Sequence, residues 1–237
     1  MPNHVKNRIT FENCSPERMA EIVAKIGTHN PEKPNTSCDG EYIYIGSGGS
    51  GVAWLDPKTG VIQTRKDGSI ITVDAIPEGF VQDMQEEFTE MPDFNKVIPT
   101  PINIFNESLG REDEERCKRE NRPTWSDWNR ENWGTKWGGY SHKKVSEFCF
   151  EFQTAWSKPT PVIYAISGAF PDIKLIHEWA DEDTGYNCGK EVIISGEVVE
   201  SVIPEGGSVA AYEQAFALNP DSREYYELKD GAYVCID

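Results

Sequence analysis

The stretch from Val5 to Gly27 limits the possible architecture more than any other part of the chain. In V-K-N-R-I-T-F-E, Val5, Asn7, Ile9 and Phe11 alternate with Lys6, Arg8, Thr10 and Glu12. That is the period-two pattern of a half-buried strand. Ser15-Pro16-Glu17 then supplies a capping hydroxyl, a proline suited to the first helical position and an early acid. Met19, Ile22, Val23 and Ile26 follow at helical spacing, and Gly27 ends the run. A strand that feeds an amphipathic helix leaves two apolar faces to bury against further elements.

Those strands are legible. Ser146 to Trp156 reads as a strand with Phe148, Phe150 and Phe152 on one face. Thr160-Pro161 opens a helix with Val162, Ile163, Ile166 and Phe170 inward, and Pro171 stops it. Ile173 to Trp179 is the next strand, with Ile173, Leu175, His177 and Trp179 on one side. With Asp93 to Pro99 taken as a short strand, the order is strand, helix, strand, strand, helix, strand. It predicts an α+β fold, a ferredoxin-like split β-α-β sheet with both helices on one face. The core elements occupy about 4–26 and 92–180 of a single elaborated domain, 1–237.

Two additions decorate this core. Tyr42–Ile45, Val61–Arg65 and Ser69–Val73 are β-like runs whose turns are marked by Asp56–Gly60 and Lys66–Gly68, giving a β-hairpin insert at about 40–75. After it, Phe80, Val81, Met84 and Phe88 suggest a short helix over 80–90. The C-terminal extension, about 189–237, reads as a hairpin turned at Ser195-Gly196, a helix over Ser208–Leu218, and a second hairpin around Asp230-Gly231. Glu107 to Glu120, with six acids and four bases, is a solvated helix or loop.

Charge narrows the partners. Forty acidic residues against 23 basic ones leave a formal charge of −17. Proteins that track nucleic-acid backbones carry the reverse balance, so direct DNA or RNA binding is disfavoured, and a basic protein partner fits better. No apolar run approaches the roughly 20 residues of a membrane span, and the N-terminus lacks an apolar signal segment, so a cytoplasmic protein is expected, with no membrane contact. The six cysteines are far apart without a C-x-x-C pair, which suits free thiols.

The candidate site is T-W-S-D-W-N-R-E-N-W-G-T-K-W-G-G-Y, residues 124–140, which holds four of the seven tryptophans. Its Gly134, Gly138 and Gly139 break helix and strand periods, so an irregular segment is expected. Asn132, Trp133, Thr135, Lys136, Trp137 and Tyr140, with Trp156 beyond, could shape a surface or pocket for a planar or anionic group. The plainer alternative is that the rings staple the segment to the sheet. Other motifs are weak. Gly46 to Gly51 has G-x-G-x-x-G spacing but leads into a turn instead of a helix. Glu178, Asp181, Glu182 and Asp183 could gather on a divalent ion, yet an exposed acidic turn explains them. His4 and His177 fall on strands that could be neighbours, but two histidines make a poor metal site. Cys149 reads as a small apolar filler. No catalytic constellation, metal site or cofactor motif emerges.

Asn132-Trp133-Gly134-Thr135-Lys136-Trp137, Phe94-Asn95-Lys96-Val97-Ile98-Pro99, Thr154-Ala155-Trp156-Ser157 and His177-Glu178-Trp179-Ala180-Asp181-Glu182, with the opening Met1-Pro2-Asn3 and Asn7-Arg8, together resemble the YubB-like ferredoxin-fold family of phages and conjugative plasmids. The resemblance covers about 1–26 and 92–190. It implies the same ferredoxin-like fold, and a mobile-element setting in a bacterial host. It carries no active-site residues. The expectation is a non-enzymatic accessory protein, an acidic inhibitor of a host nucleic-acid-targeting defence that acts by protein–protein contact. A small-ligand or nucleotide-sensing domain built on the aromatic segment is the alternative.

Overall fold

The computed structural model describes residues 3–28, 43–45, 53–55, 61–63, 71–72 and 91–236. Strand β1 (His4–Glu12) alternates between buried and half-buried positions, and Val5, Asn7, Ile9 and Phe11 are the buried ones. The predicted helix follows as α1 (Pro16–Ile26), where the Ser15 side chain accepts a hydrogen bond from the Arg18 N–H. In the insert, β2 (Ile43–Ile45), β3 (Ala53–Leu55), β4 (Val61–Gln63) and β5 (Ile71–Thr72) form a four-stranded antiparallel sheet in chain order. The three β-like runs read from the sequence are thus joined by a fourth strand at Ala53–Leu55. The glycine run 46–51, both turns and the expected helix over 80–90 lie outside the described residues. Among the described residues these four strands pair with one another, and the chain divides into two compact units: 28–89, and 1–27 together with 90–237.

The larger unit continues with α2 (Phe94–Val97), α3 (Arg111–Glu120), α4 (Trp125–Asn132), β6 (Tyr140–Ser146), β7 (Cys149–Ala155), α5 (Thr160–Ala169) and β8 (Lys174–Asp181). Then come β9 (Gly189–Ile194), β10 (Glu197–Val202), α6 (Val209–Leu218), a 3-10 turn at Pro220–Tyr225, and the hairpin β11 (Tyr226–Lys229) and β12 (Ala232–Cys235). The main sheet runs β10-β9-β8-β1-β7-β6. Its portion β8-β1-β7-β6 is the ferredoxin-like arrangement, with β1 antiparallel to β7 on one side and to β8 on the other. Strands β9 and β10 extend that sheet beyond β8.

One element differs from the expected order. Asp93–Pro99 is not a strand. The Asp93 carboxylate accepts hydrogen bonds from the Asn95 and Lys96 N–H groups and caps the one-turn helix α2. The second ferredoxin strand is β6 instead. Its side chains are mostly exposed, and its register with β7 shifts twice, so it shows no apolar alternation to read.

One face of the sheet is covered by α1 and α5. Met19, Ile22 and Ile26 from the first, and Val162, Ile163 and Ile166 from the second, pack with Ile9, Phe11, Phe150, Phe152, Leu175 and Ile193. Toward one end this face turns polar. Asn7 Nδ2 donates to Thr154 Oγ1 (2.9 Å) and to the Val5 carbonyl (2.9 Å), and the fully buried His177 lies with Nε2 3.0 Å from Asn7 Oδ1. β1 and β8 are therefore neighbours, but His177 pairs in register with Ile9 and His4 pairs with Ala155, so the two histidines are apart.

The opposite face carries Glu151, which binds Arg8 (2.6 Å) and Lys6 (3.2 Å). Burial pushes the Glu151 carboxyl up, but the Arg8 hydrogen bonds and both positive charges outweigh it and hold the group below its usual range. α6 packs there: the Leu218 and Ala217 carbonyls accept from Lys6 and Arg8, and Ala211, Ala215 and Leu218 meet Ala180 and Cys188. The C-terminal hairpin closes over α6 through ring contacts of Tyr212 and Phe216 with Tyr226 and Tyr233.

Candidate functional site

The tryptophan segment is more regular than its glycines suggest. Thr124 caps α4, its hydroxyl accepting from the Asp127 N–H, so the helix is complete before Gly134 is reached. Trp133 is 8% exposed. Its Nε1–H donates to the Ile98 carbonyl (3.0 Å), and its ring meets Trp128 and Phe94 edge-on at 5.3 and 5.8 Å. Thr135, 1% exposed, donates to the Ala155 carbonyl, and Asn132 Nδ2 donates back to the Trp128 carbonyl. Trp133 and Thr135, expected as binding residues, are thus turned inward as staples, while Asn132 stays half-buried and bonds within its own helix.

Gly134 has φ +77°, and a Cβ there would lie 2.8 Å from Pro161 Cδ. Gly134→Ala is expected to lower stability by about 1–3 kcal/mol, from the left-handed backbone and the overlap with Pro161, measurable by chemical denaturation.

The other four predicted residues remain at least partly exposed. Lys136 Nζ lies 4.9 Å from the centre of the Trp137 ring, and Trp137 tilts against Tyr140. The Tyr140 hydroxyl donates to the Thr154 carbonyl and sits 2.6 Å from His4 Nδ1. Burial, and then the negative charge of Glu182, push the Tyr140 phenol up. Trp156 is 52% exposed although its backbone is held at φ +74°. That conformation is uncommon for a bulky residue and is over-determined here. The Trp156 N–H donates to the Asn3 carbonyl (2.9 Å), and its carbonyl accepts from Asn187 Nδ2 (3.4 Å). On one side Thr154 Oγ1 reaches over to the Ser157 carbonyl; on the other, Ser157 Oγ binds the Gly134 carbonyl.

Asn187 leads to the rest of the site. The same Nδ2 donates to Asp181 Oδ2 (2.8 Å), while Asp181 Oδ1 accepts from Asn3 Nδ2 (3.1 Å) and from the Asp183 N–H (3.0 Å). Asp181 is buried, and this network fixes the loop from β8 to β9 beside Trp156. Glu182 and Asp183 are exposed on that loop, and the Glu182 N–H donates to the His4 carbonyl. Tyr186, 47% exposed, closes the turn through its N–H to the Asp183 carbonyl. Trp156 and Tyr186 are thus both exposed at this end of the sheet, Tyr186 with its ring against Gly206 and Gly207, and the exposed Glu182 and Asp183 lie on the connecting loop. Among the described residues no three His, Cys, Asp or Glu side chains come together as a metal site, so Glu178, Asp181, Glu182 and Asp183 do not gather on an ion. The sequence marked Trp156 and the acidic turn separately. Tyr186 and Asn187 carried no signal beyond lying next to Gly185.

The sheet order and the two covering helices define a ferredoxin-like α+β protein. Residues 132–219, from the end of α4 through α6, match the model of a family described as "Ferredoxin-like domain in Api92-like protein". The family so matched is the Api92-like one; the YubB-like resemblance is not what the match names. Among solved structures, the crystal structure of a protein api92 from Yersinia pseudotuberculosis is similar, with 13% identity over 87% of this chain and 99% of that one, at a TM-score of 0.45. No curated protein matches the chain. No helix among the described residues is long and apolar enough to cross a membrane.

Proposed function

We propose that this is a non-enzymatic binding protein that grips a cationic segment of another protein at the Trp156–Tyr186 end of its sheet. The observation that carries the reading is Trp156, a large ring held out from a backbone that three neighbouring loops immobilise. A rigid, exposed tryptophan loses little freedom on binding and is the residue type most enriched at the energetic centres of interfaces. The exposed carboxylates of Glu182 and Asp183 on the loop that Asn187 ties to Trp156, and the net charge of −17, select an arginine- or lysine-rich partner, whose cations can also lie over an exposed ring.

The setting in this reading is a phage or plasmid accessory protein in the bacterial cytoplasm, opposing a host nucleic-acid-targeting defence whose basic groove it occupies. The YubB-like strings in the sequence and the acidic exterior support it. The non-enzymatic part is supported by the state of the groups an enzyme would need: Glu151 is engaged by Lys6 and Arg8, and Lys136 rests over Trp137.

The test titrates the full chain with two fluorescent peptides of equal length, one arginine-rich and one glutamate-rich. The arginine peptide is expected to bind with an affinity that falls as salt rises, and Trp156→Ala to weaken it about 30-fold without moving the melting temperature. Unchanged affinity in a folded Trp156→Ala variant would exclude this site.

A further inference from the structure

A second site lies on the far side of α4 from the core. The C-terminal turn of α3 and the start of α4 border a cleft of about 820 Å³, within the size range of small-molecule sites. Its walls carry four cations, Lys118, Arg122, Arg130 and Lys136, against two carboxylates, Glu114 and Asp127. In a chain with 40 acidic and 23 basic residues, that balance is inverted.

The cations are also not paired with the two carboxylates that share their walls. Elsewhere on α3, Arg111 pairs with Glu115 and Arg116 with Asp113. None of the four cleft cations makes an ion pair among the described residues. Arg122 donates to the Asn103 and Ile104 carbonyls, Arg130 donates to Ser126 Oγ, and Lys136 lies over Trp137. Holding like charges together with so many acids available raises the local positive potential, and such a potential concentrates anions. Trp125 supplies an apolar wall. Its Nε1–H is fixed to the Glu107 carbonyl (3.1 Å), and no ring stacks on it among the described residues.

We infer that this cleft binds a nucleoside polyphosphate, with the phosphates among Lys118, Arg130 and Lys136 and the base against Trp125. A bare phosphate would fill a small part of the space and leave most of the positive charge unmet. A nucleotide supplies several negative charges together with a planar ring, the two chemistries that line this cleft. The site is distinct from the Trp156 surface and does not depend on it.

The experiment is calorimetric titration of the full chain with ATP, inorganic pyrophosphate, adenosine and a ten-nucleotide single strand at fixed ionic strength. ATP is expected to bind at least tenfold more tightly than pyrophosphate or adenosine. The double variant Lys118→Ala/Arg130→Ala, at two exposed positions, should weaken ATP more than tenfold at an unchanged melting temperature. Trp125→Leu should bring ATP down to the affinity of pyrophosphate. Equal affinity for ATP and pyrophosphate, tighter binding of the single strand than of ATP, or ATP binding indifferent to the double variant would each overturn the assignment.

Discussion

Trp133→Ala is expected to lower the stability of the larger unit by about 3–5 kcal/mol, the range for removing a buried aromatic side chain. The ring is in contact with Phe94 of α2 and Trp128 of α4 as well as the sheet core, so its loss opens a cavity where three elements meet. It also strips the Ile98 carbonyl of its indole donor, which adds the cost of an unpaired acceptor. Trp137→Ala, at a half-buried position four residues further on, should cost less than half as much. Urea denaturation of the two variants measures the contrast. Equal losses would mean that the segment is a uniform aromatic cover, and the division into inward staples and outward rings would fail.

The second large effect is of pH. His177 is fully buried, and burial, then the nearby Lys158 charge, push its imidazole down to about 3. The unfolded chain titrates near 6.5. The folded value is the depressed one, so above about pH 6.5 both states are neutral and the full stability is present. As the pH falls below that, the unfolded chain takes up a proton that the folded chain refuses, and stability is lost until about pH 3. By pH 5 the loss from this residue is about 2 kcal/mol. His142, pushed down to about 4 mainly by burial, works in the same direction. His177→Gln keeps a donor for Asn7 Oδ1 while removing the titration, so it should flatten the profile between pH 7 and 5. Identical pH dependence in the variant and the parent would show that His177 is not the group responsible.

What could be read from the letters followed from how each element is stabilised. β1, α1, β7, α5 and β8 each bury one side against the same core, and their apolar spacing states it directly. β6 was missed because it is a sheet edge held by backbone pairing, with Lys143 and Lys144 outward, and nothing in its side chains marks a strand. Asp93–Pro99 reads as a short strand ended by prolines, whereas the decisive interaction is the Asp93 carboxylate capping the Asn95 and Lys96 N–H groups. The glycines of the tryptophan segment were read correctly as breakers, but they act only after α4 has ended. Of the seven predicted binding residues, Trp156 stands out in the surface now proposed, while Lys136 borders the cleft instead. Neither grouping could be seen in sequence, since Trp156 meets its loop through Asn187, and Lys118 and Lys136 come to line one cleft only in the folded chain.

The central position of β1 also bears on how the molecule is made. This strand is flanked by β7, which begins at Cys149, and by β8, which begins at Lys174. On a ribosome adding about 5–20 residues per second, Val5, Ile9 and Phe11 emerge many seconds before either neighbour exists. Until then α1, and after it Met91, Phe94 and Trp133 of the same core, are what can shield Ile9 and Phe11. Such distant pairing slows folding, and it leaves an early window in which a chaperone has an apolar strand to hold.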